Sequence, residues 1–309
     1  MFSNDVFIIG WKGFIGFRYV EYLSRTGFSG NLFLYLREGE KENGIKSNNI
    51  YFLNHFEFIE RLLISKATLY YLANIYLPNE SLEYSIDSVT KNILPFIKIL
   101  EEIKPNAKNI KFIFASSGGT IYGDTRGEHC KESHPLLAKS IYTANKIAQE
   151  NYLSVYGINY GLNYHIVRIA NPYGPGQKAR SGQGLIPAIM DSIEKKIYLS
   201  VFGDGQALRD YLYIDDLCSF LFKLANYTGT HKIFNAGSGV SYSILDVIEC
   251  FTLVSNKTVN YILREANISA VDKIVLDNSL AKKELRWEPK VSLKEGISAF
   301  IDWSENKRF

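Results

Sequence analysis

The stretch that decides the fold is Val6-Phe7-Ile8-Ile9-Gly10-Trp11-Lys12-Gly13-Phe14-Ile15-Gly16. Val6–Ile9 is an apolar run typical of a buried strand, and Gly16–Arg25 carries apolar residues at helical spacing. Glycines between a strand and a helix allow a tight turn, close approach of the backbone to a pyrophosphate, and close packing of helix on strand. The free N–H groups at the start of the helix then face the phosphates. A glycine turn can also close a strand without any ligand, but this context is the one that a dinucleotide-binding loop requires. The predicted contacts are Gly10, Lys12, Gly13, Phe14, Ile15 and Gly16.

Strands and helices continue to alternate through the first half of the chain. The predicted strands after the first are Asn31–Leu36, Thr68–Ala73, Ile110–Ala115 and Asn163–Ile169. The predicted long helices are Ser88–Ile103, which Pro95 should kink, and Tyr142–Tyr156. Alternation at these lengths predicts an α/β fold with a doubly wound parallel sheet and right-handed crossovers.

The texture of the sequence changes after Asn171, where glycine and proline become dense and the regular alternation ends. We expect residues 1–170 to form a dinucleotide-binding Rossmann domain. A return segment near 210–240, with a strand at Lys232–Ala236, should rejoin its sheet. Residues 171–309 are then mainly a smaller, interleaved α/β domain that binds the substrate.

Composition excludes several classes of protein. The net charge of +3 over 309 residues gives no argument for nucleic acid as a partner. Cys130, Cys218 and Cys250 form no C-x-x-C pair, so neither a metal site nor a disulfide framework is expected. No signal peptide or apolar run of membrane-spanning length is recognisable. We therefore expect a cytoplasmic protein without metal, membrane or nucleic-acid partners.

The end of the second strand bears on the cofactor. NAD enzymes usually place Asp or Glu there to bind the ribose 2′-hydroxyl. This chain reads Leu34-Tyr35-Leu36-Arg37, and Lys12 lies near the same part of the adenosine. Two cations in the place of an anion favour NADP(H), with NAD as the alternative, because a guanidinium pairs well with phosphate. Arg37 and Lys12 could instead be solvated loop charges.

Tyr142 and Lys146 lie four residues apart on one face of a predicted helix. A free tyrosine has a pKa of about 10, too high for an efficient base at neutral pH. A nearby ammonium lowers that pKa by stabilising the phenolate. Y-x-x-x-K also arises by chance as an ordinary surface pair. Here, however, a hydroxyl-rich segment, Ala115–Gly123, precedes it at the end of a strand, where ligands of open α/β sheets bind.

Together these motifs resemble the extended short-chain dehydrogenase/reductase family, of the UDP-galactose 4-epimerase type, over nearly the whole chain. Further resemblances are Asn92, a structural asparagine of the family, and three segments. These segments are the substrate loop Asn171–Gln177, the pyrophosphate clamp Arg209–Asp216 and the C-terminal signature Leu285–Pro289.

The resemblance implies roles for matching residues. Tyr142 would be the general acid/base at the C4 oxygen of a sugar, and Lys146 would tune it and bind the cofactor ribose. Ala73 and Asn92 would also lie at the cofactor. Those implied for a nucleotide-diphosphate sugar are Asn171, Lys178, Arg180, Leu185, Phe202, Arg209 and Tyr211. Asn171 and Arg209 would hold the diphosphate and Phe202 would pack near the base, whereas Lys178 and Arg180 could equally be solvated.

The resemblance also implies a homodimer in which the two long helices of each subunit form a four-helix bundle. The apolar positions available for this are Ile93, Phe96, Leu100, Tyr152 and Val155. The same side chains could instead pack against the chain's own sheet.

The chain departs from the family at Gly118, where a Ser or Thr hydroxyl is usual. Ser117 or Thr120 must then supply the hydroxyl, and Thr120 is favoured because it shares a face with position 118 if the segment stays extended. Gly119-Thr120 stands where 4,6-dehydratases of the family carry Asp-Glu, which argues against dehydration.

Three functions remain. A 4-keto reductase makes one hydride transfer and releases its cofactor, which suits NADPH. We therefore expect reduction of a 4-keto-6-deoxyhexose, such as the dTDP-linked sugar, in synthesis of a surface polysaccharide such as O-antigen. The alternatives are an NAD-dependent UDP-hexose 4-epimerase and a catalytically idle dinucleotide-binding protein.

Overall fold

The computed structural model describes residues 5–42, 48–76, 78–125, 128–179, 184–265 and 271–306. The strands are β1 (Asp5–Ile9), β2 (Asn31–Tyr35), β3 (Ile50–Leu53), β4 (Ala67–Tyr71), β5 (Ile110–Ser117), β6 (His129–Cys130), β7 (Asn163–Ile169), β8 (Asn171–Tyr173), β9 (Leu199–Phe202), β10 (Arg209–Tyr213), β11 (Ile233–Ala236), β12 (Ser241–Tyr242), β13 (Tyr261–Arg264) and β14 (Val275–Leu276). The helices are α1 (Phe14–Arg25), α2 (His55–Leu63), α3 (Pro78–Glu83), α4 (Ser85–Ile103), α5 (Ile141–Tyr160), α6 (Leu185–Lys195), α7 (Ile214–Ala225), α8 (Ile244–Ser255), α9 (Ser279–Leu285) and α10 (Leu293–Asn306).

A seven-stranded sheet has the order β11-β7-β5-β4-β1-β2-β3. The four pairs from β5 to β3 are parallel. Parallel strands that are neighbours in sequence need long crossover connections, and the reversal of order beside β1 is the arrangement of a dinucleotide-binding sheet. The predicted fold class is confirmed, and so is the returning strand, since β11 lies at the edge beside β7.

Aromatic residues fill the core on one face of this sheet. Phe7 stacks on Phe33 with ring centroids 4.6 Å apart, and Phe58 meets Phe7 edge to face at 5.2 Å. Phe58 belongs to α2, which, like β3, the sequence analysis did not identify. A capping box between Asn54 and Glu57 fixes the start of α2, because the two residues satisfy each other's backbone N–H groups.

The chain forms two compact units. The first comprises Met1–Ser116, Ile141–Val167 and Leu221–Phe234, and the second comprises Ser117–Ser140, Arg168–Phe220 and Asn235–Phe309. The second unit has its own small sheets, in the orders β12-β10-β8, β13-β9 and β14-β6. Helices α8 and α10 pack against each other within it.

The long helices α4 and α5 pack side by side in the first unit, with Pro95 inside α4. The expectation that Ile93, Phe96 and Leu100 lie at a subunit interface is wrong, because all three are buried in the unit's own core. Tyr152 and Val155 of α5 are exposed. Across the described residues, no helix combines the length and the apolar character that a membrane crossing requires.

Candidate active site

The glycine loop is packed directly against the end of β4. Gly10 has φ +91°, and a Cβ on it would lie 2.5 Å from the backbone N of Ala73. A Cβ on Gly16 would lie 2.4 Å from the carbonyl oxygen of Gly10. Both positions therefore require glycine. Gly13 is the N-cap of α1, so Phe14, Ile15 and Gly16 form the first helical turn, and no side chain of the described residues caps it. This arrangement fits the pyrophosphate of a dinucleotide, because the amides of the first turn need an external acceptor.

Asn92 fixes the segment that follows β4. Its Oδ1 accepts a hydrogen bond from the backbone N of Ile75 at 2.9 Å, and its Nδ2 donates to the Ser88 carbonyl at 2.9 Å. Asn92 is buried within α4. The structure thus brings together Gly10, Ala73 and Asn92, three of the predicted cofactor residues, near the carboxyl ends of β1 and β4.

Lys12 and Arg37 do lie together, but with a carboxylate that the sequence analysis overlooked. Arg37 donates from Nε and Nη2 to Oε1 of Glu40, at 3.0 and 2.8 Å. Lys12 Nζ lies 3.6 Å from Oε2 of the same carboxylate. The signal was present in Arg37-Glu38-Gly39-Glu40, because a glycine turn brings charges three residues apart into contact.

Trp11 is a second residue that the sequence analysis left without a role. It is fully buried, and its Nε1 donates to the Tyr35 carbonyl at 2.9 Å. Its ring also contacts Phe52, with centroids 5.2 Å apart. Trp11 thereby ties the glycine loop to the end of β2, two residues before Arg37.

Tyr142 and Lys146 share one face of α5, as predicted, with Lys146 Nζ 5.8 Å from the centroid of the tyrosine ring. Lys146 is buried and donates to the Ala115 carbonyl at 2.8 Å. Burial lowers the pKa of the lysine to about 7, and the charge of Glu150 opposes that shift. Glu150 accepts a hydrogen bond from Ser116 Oγ at 2.5 Å. Its spacing of four residues from Lys146 was the sequence signal for this second missed carboxylate.

The hydroxyl segment after β5 does not stay extended, so the reason for favouring Thr120 is wrong. Residues 118–120 form a turn in which the N–H of Ile121 donates to the Ser117 carbonyl at 3.1 Å. A Cβ on Gly118 would lie 2.5 Å from Leu276 Cδ1 and 2.8 Å from the Arg168 carbonyl oxygen. Position 118 therefore faces the interior of the second unit, and any side chain there would displace neighbouring atoms. Thr120 Oγ1 donates to Ser117 Oγ at 3.0 Å.

A buried polar network holds this turn in place. Tyr122 donates from its hydroxyl to Asn235 Oδ1 at 2.6 Å, and Arg168 Nη1 donates to the Tyr122 hydroxyl at 3.1 Å. All three side chains are buried. Because unpaired groups would be costly at these positions, the network fixes the chain at Tyr122, two residues after Thr120.

Part of the predicted substrate group is assembled in the second unit. Asn171 pairs with Tyr211 in the register of β8 and β10, and its Nδ2 donates to the Asp210 carbonyl at 3.0 Å. Arg209 donates from Nη1 to the carbonyls of Leu208 and Asp272, at 2.9 and 3.1 Å. Burial lowers the pKa of Arg209 and raises that of Tyr211 to about 12.

The remaining predicted substrate residues lie on other elements of this unit. Leu185 is the first residue of α6, after Gly184 in a left-handed conformation. Phe202 ends β9 and is 54% exposed, which leaves its ring available for stacking. Lys178 is exposed, and Arg180 lies outside the described residues. No group of three potential metal ligands occurs in the part of the chain that the structure describes.

Residues 6–237 match the NAD dependent epimerase/dehydratase family. The chain belongs to that family. An Escherichia coli dTDP-4-dehydro-6-deoxyglucose reductase is 32% identical over 234 residues, which is 76% of this chain and 73% of that protein. The structure of UDP-glucose 4-epimerase from Thermotoga maritima with UDP-glucose has a TM-score of 0.87 at 26% identity, covering 99% of this chain and 100% of that chain. UDP-glucose 4-epimerase from Thermus thermophilus, in complex with NAD, has a TM-score of 0.86 at 26% identity, covering 97% of this chain and 99% of that chain.

The resemblance inferred from the motifs is thus confirmed, and so is the prediction of an NAD(P)-dependent nucleotide-sugar oxidoreductase or epimerase. The roles of individual residues in this epimerase/dehydratase family member stay predictions, which the geometry above makes specific.

Replacing Lys146 with Met should change how stability depends on pH. Since the pKa of Lys146 is about 7 when folded and 10.5 in its ordinary state, the folded wild type binds fewer protons between these values, and its stability rises with pH across that window. The cost of burying the ammonium is fully present below pH 7. We expect the free energy of unfolding of the wild type to rise, relative to that of Lys146→Met, by a few kcal/mol between about pH 7 and 10, at roughly 1.4 kcal/mol per pKa unit.

Urea unfolding of both proteins across this pH range measures the difference. The exposed Lys66→Met is the matched control, and it should track the wild type. A stability difference between wild type and Lys146→Met that stays flat from pH 7 to pH 10 would show that the lysine is not destabilised by burial.

Proposed function

We propose that this chain reduces the C4 carbonyl of a nucleotide-diphosphate 4-keto-6-deoxyhexose, with hydride from a nicotinamide dinucleotide that is released after each turnover. The observation that carries this choice is the adenosine end of the cofactor site. The charged groups there, Arg37 and Glu40, form an ion pair whose arginine side chain is 65% exposed. An ion pair with so exposed a partner contributes only about 0–1 kcal/mol, so it opens at little cost when a dinucleotide enters or leaves.

Easy exchange of the cofactor favours a reductase over an epimerase. A reductase consumes one reduced cofactor per product and must exchange it, whereas an epimerase returns its hydride to the same sugar and has to retain the cofactor throughout. The 32% identity to a dTDP-4-dehydro-6-deoxyglucose reductase supports the same choice.

The chain's own groups supply the proton chemistry. When bound, the reduced nicotinamide supplies hydride to C4. The Tyr142 hydroxyl donates its proton to the C4 oxygen, so that the carbonyl becomes a secondary alcohol. Lys146 stabilises the resulting phenolate until a proton returns from solvent. Its burial strengthens this interaction, because the local dielectric is low.

Ser117 supplies the hydroxyl that hydrogen-bonds the reacting sugar oxygen, and Thr120 orients it. Two contacts support this assignment. Thr120 donates its proton to Ser117 Oγ, which leaves the serine proton for another acceptor. Position 118 faces Leu276 and the backbone of Arg168, so it cannot take over the task.

The nucleotide diphosphate would be held by the second unit. Asn171 and Arg209 flank the β8–β10 ladder, Tyr211 lies opposite Asn171, and the exposed ring of Phe202 stacks on the base. Leu185 and Lys178 would also contact the nucleotide-diphosphate sugar. Arg209 carries the charge that a diphosphate needs for charge-assisted hydrogen bonds.

A 4-epimerase is the second candidate. The whole-length likeness to the two UDP-glucose 4-epimerase structures favours it, and so does the NAD in one of them. Tyr142 and Lys146 would act there on the same C4 oxygen. Lys12 and Arg37 predict a preference for NADP(H), which would favour the reductase. The Glu40 carboxylate opposes that preference.

The deciding measurement is absorbance of the reduced nicotinamide with dTDP-4-keto-6-deoxyglucose, using NADPH and NADH in turn. We expect stoichiometric oxidation of at least one of them. Tyr142→Phe should lower kcat by about 10²- to 10⁴-fold, the usual contribution of a general acid. Tyr152→Phe, on the same helix, is the matched control and should retain wild-type activity. No net oxidation, with UDP-glucose and UDP-galactose interconverting instead, would assign the epimerase.

Ser117→Ala and Thr120→Val separate the two hydroxyls. If Ser117 contacts the sugar, its loss should lower kcat by about 10²-fold, as for other donors at a reacting oxygen. Thr120→Val should cost about ten-fold or less, because Ser117 remains but is less well oriented. Thr252→Val, whose hydroxyl binds a carbonyl within α8, is the control. A larger loss in Thr120→Val than in Ser117→Ala would reverse the assignment.

We also propose a homodimer through the outer faces of α4 and α5. Apolar side chains exposed on these faces include Ile86 at 81%, Val89 at 42%, Val155 at 49% and Ile158 at 80%. Exposed apolar side chains along two neighbouring helices are typical of a protein–protein interface. Val155→Asp should convert the dimer to a monomer in light scattering, whereas Leu253→Asp, an exposed position on α8, should not. A monomeric wild type would contradict the proposal.

A further inference from the structure

We infer that Glu40 sets the choice between NAD(H) and NADP(H), by occupying with its carboxylate the anion position between Lys12 and Arg37. This rests on the proposed function only in requiring that the glycine loop binds a nicotinamide dinucleotide. It concerns neither the sugar nor the direction of hydride transfer.

Among the described residues, Arg37 donates hydrogen bonds to the Glu40 carboxylate and Lys12 pairs with it by charge. Oε1 accepts from Arg37 Nε and Nη2, and Oε2 accepts from the backbone N of Arg37 at 3.0 Å. Lys12 Nζ lies 3.6 Å from Oε2 and donates to the Lys41 carbonyl at 2.9 Å. The glycine loop and the turn after β2 are thus joined by one charged cluster, defined by Lys12, Arg37 and Glu40.

Backbone geometry places this carboxylate where the usual acid of an NAD site would act. That acid stands at the end of β2, but here the strand ends at Tyr35, and Arg37 follows two residues later. The chain then turns back at Gly39, with φ +77°, and the Glu40 N–H donates to the Arg37 carbonyl at 3.0 Å. Glu40 returns to the end of the strand by this turn, three residues later in sequence. Its side chain is 19% exposed, so it is held and not freely solvated.

Glu40 is ionised at neutral pH. Burial opposes its charge, but the hydrogen bonds from Arg37 and the charges of Arg37 and Lys12 outweigh burial and hold the pKa below its usual range. The cluster therefore contains two cations and one anion.

This charge balance decides what the adenosine 2′ position can carry. A 2′-phosphate bears a charge of about −1.5 to −2 and has to take Arg37 or Lys12 from Glu40 while lying beside its carboxylate. A 2′-hydroxyl needs only an acceptor, which a carboxylate supplies. The cluster therefore accepts NAD(H) without rearrangement, whereas NADP(H) binds only after the ion pairs break.

The test is direct binding of NADPH and NADH by calorimetry, without sugar substrate. Glu40→Gln keeps the size of the side chain and removes its charge. We expect Glu40→Gln to tighten NADPH binding by about five- to ten-fold while NADH binding changes by about two-fold or less, in the range of partly exposed charge interactions. Adding Arg37→Ala to Glu40→Gln should abolish the gain for NADPH, because the freed guanidinium provides it.

Glu38→Gln is the matched control, since it removes the same charge from an exposed side chain two residues earlier. An unchanged ratio of NADPH to NADH affinity in Glu40→Gln, or an equal change in Glu38→Gln, would overturn the assignment of Glu40 alone. A wild type that binds neither dinucleotide would overturn the proposed function, and the role of Glu40 with it.

Discussion

The close approach of the Gly10 backbone to Ala73 is the constraint on which the cofactor side of the molecule depends. The two segments leave neighbouring parallel strands, β1 and β4, and the N–H of Leu72 donates to the Ile9 carbonyl at 2.9 Å. A side chain at position 10 would push the strand ends apart. Because the loop is held there, Trp11 reaches the end of β2 and Lys12 reaches Glu40. One steric condition thereby aligns the glycine loop with the charged residues that follow β2.

A buried carboxylate plays the corresponding part in the second unit. Asp210 accepts hydrogen bonds from Ser238 N and Oγ, both at 2.7 Å, and from the backbone N of Leu276 at 3.2 Å. Burial raises its pKa against these bonds, so breaking them would leave a costly buried group. Leu276 is thereby fixed where a side chain at position 118 would lie. Packing therefore closes position 118 to a side chain, which supports the proposal that Ser117 and its partner Thr120 supply the hydroxyl.

Sequence patterns predicted what depends on local periodicity and on motif spacing. The strand and the helix on either side of the glycine loop, the helix bearing Tyr142 and Lys146, and the returning strand near residue 233 all follow from such patterns. Strand β3 was missed because four residues with a weak burial pattern carry little signal. The buried positions of Ile93 and Phe96 could not be separated from an interface, since both environments select the same apolar residues. The turn after Ser117 depends on Leu276, more than 150 residues away, which no local pattern contains.

The two predicted ends of the dinucleotide site in the first unit differ in burial. At the reacting end, Lys146 is buried, and the carbonyl of Ala115 fixes its ammonium. At the adenosine end, the contacts are charges near the surface, centred on Arg37 and Glu40. Buried, hydrogen-bonded charges hold their geometry, whereas exposed pairs exchange partners at little cost. In the proposed reductase, such a site would keep the proton donor and its lysine rigid while the cofactor enters and leaves, as a hydride transfer that consumes its cofactor requires. Buried contacts at both ends of the cofactor would instead suit an enzyme that must retain one cofactor through a reversible oxidation.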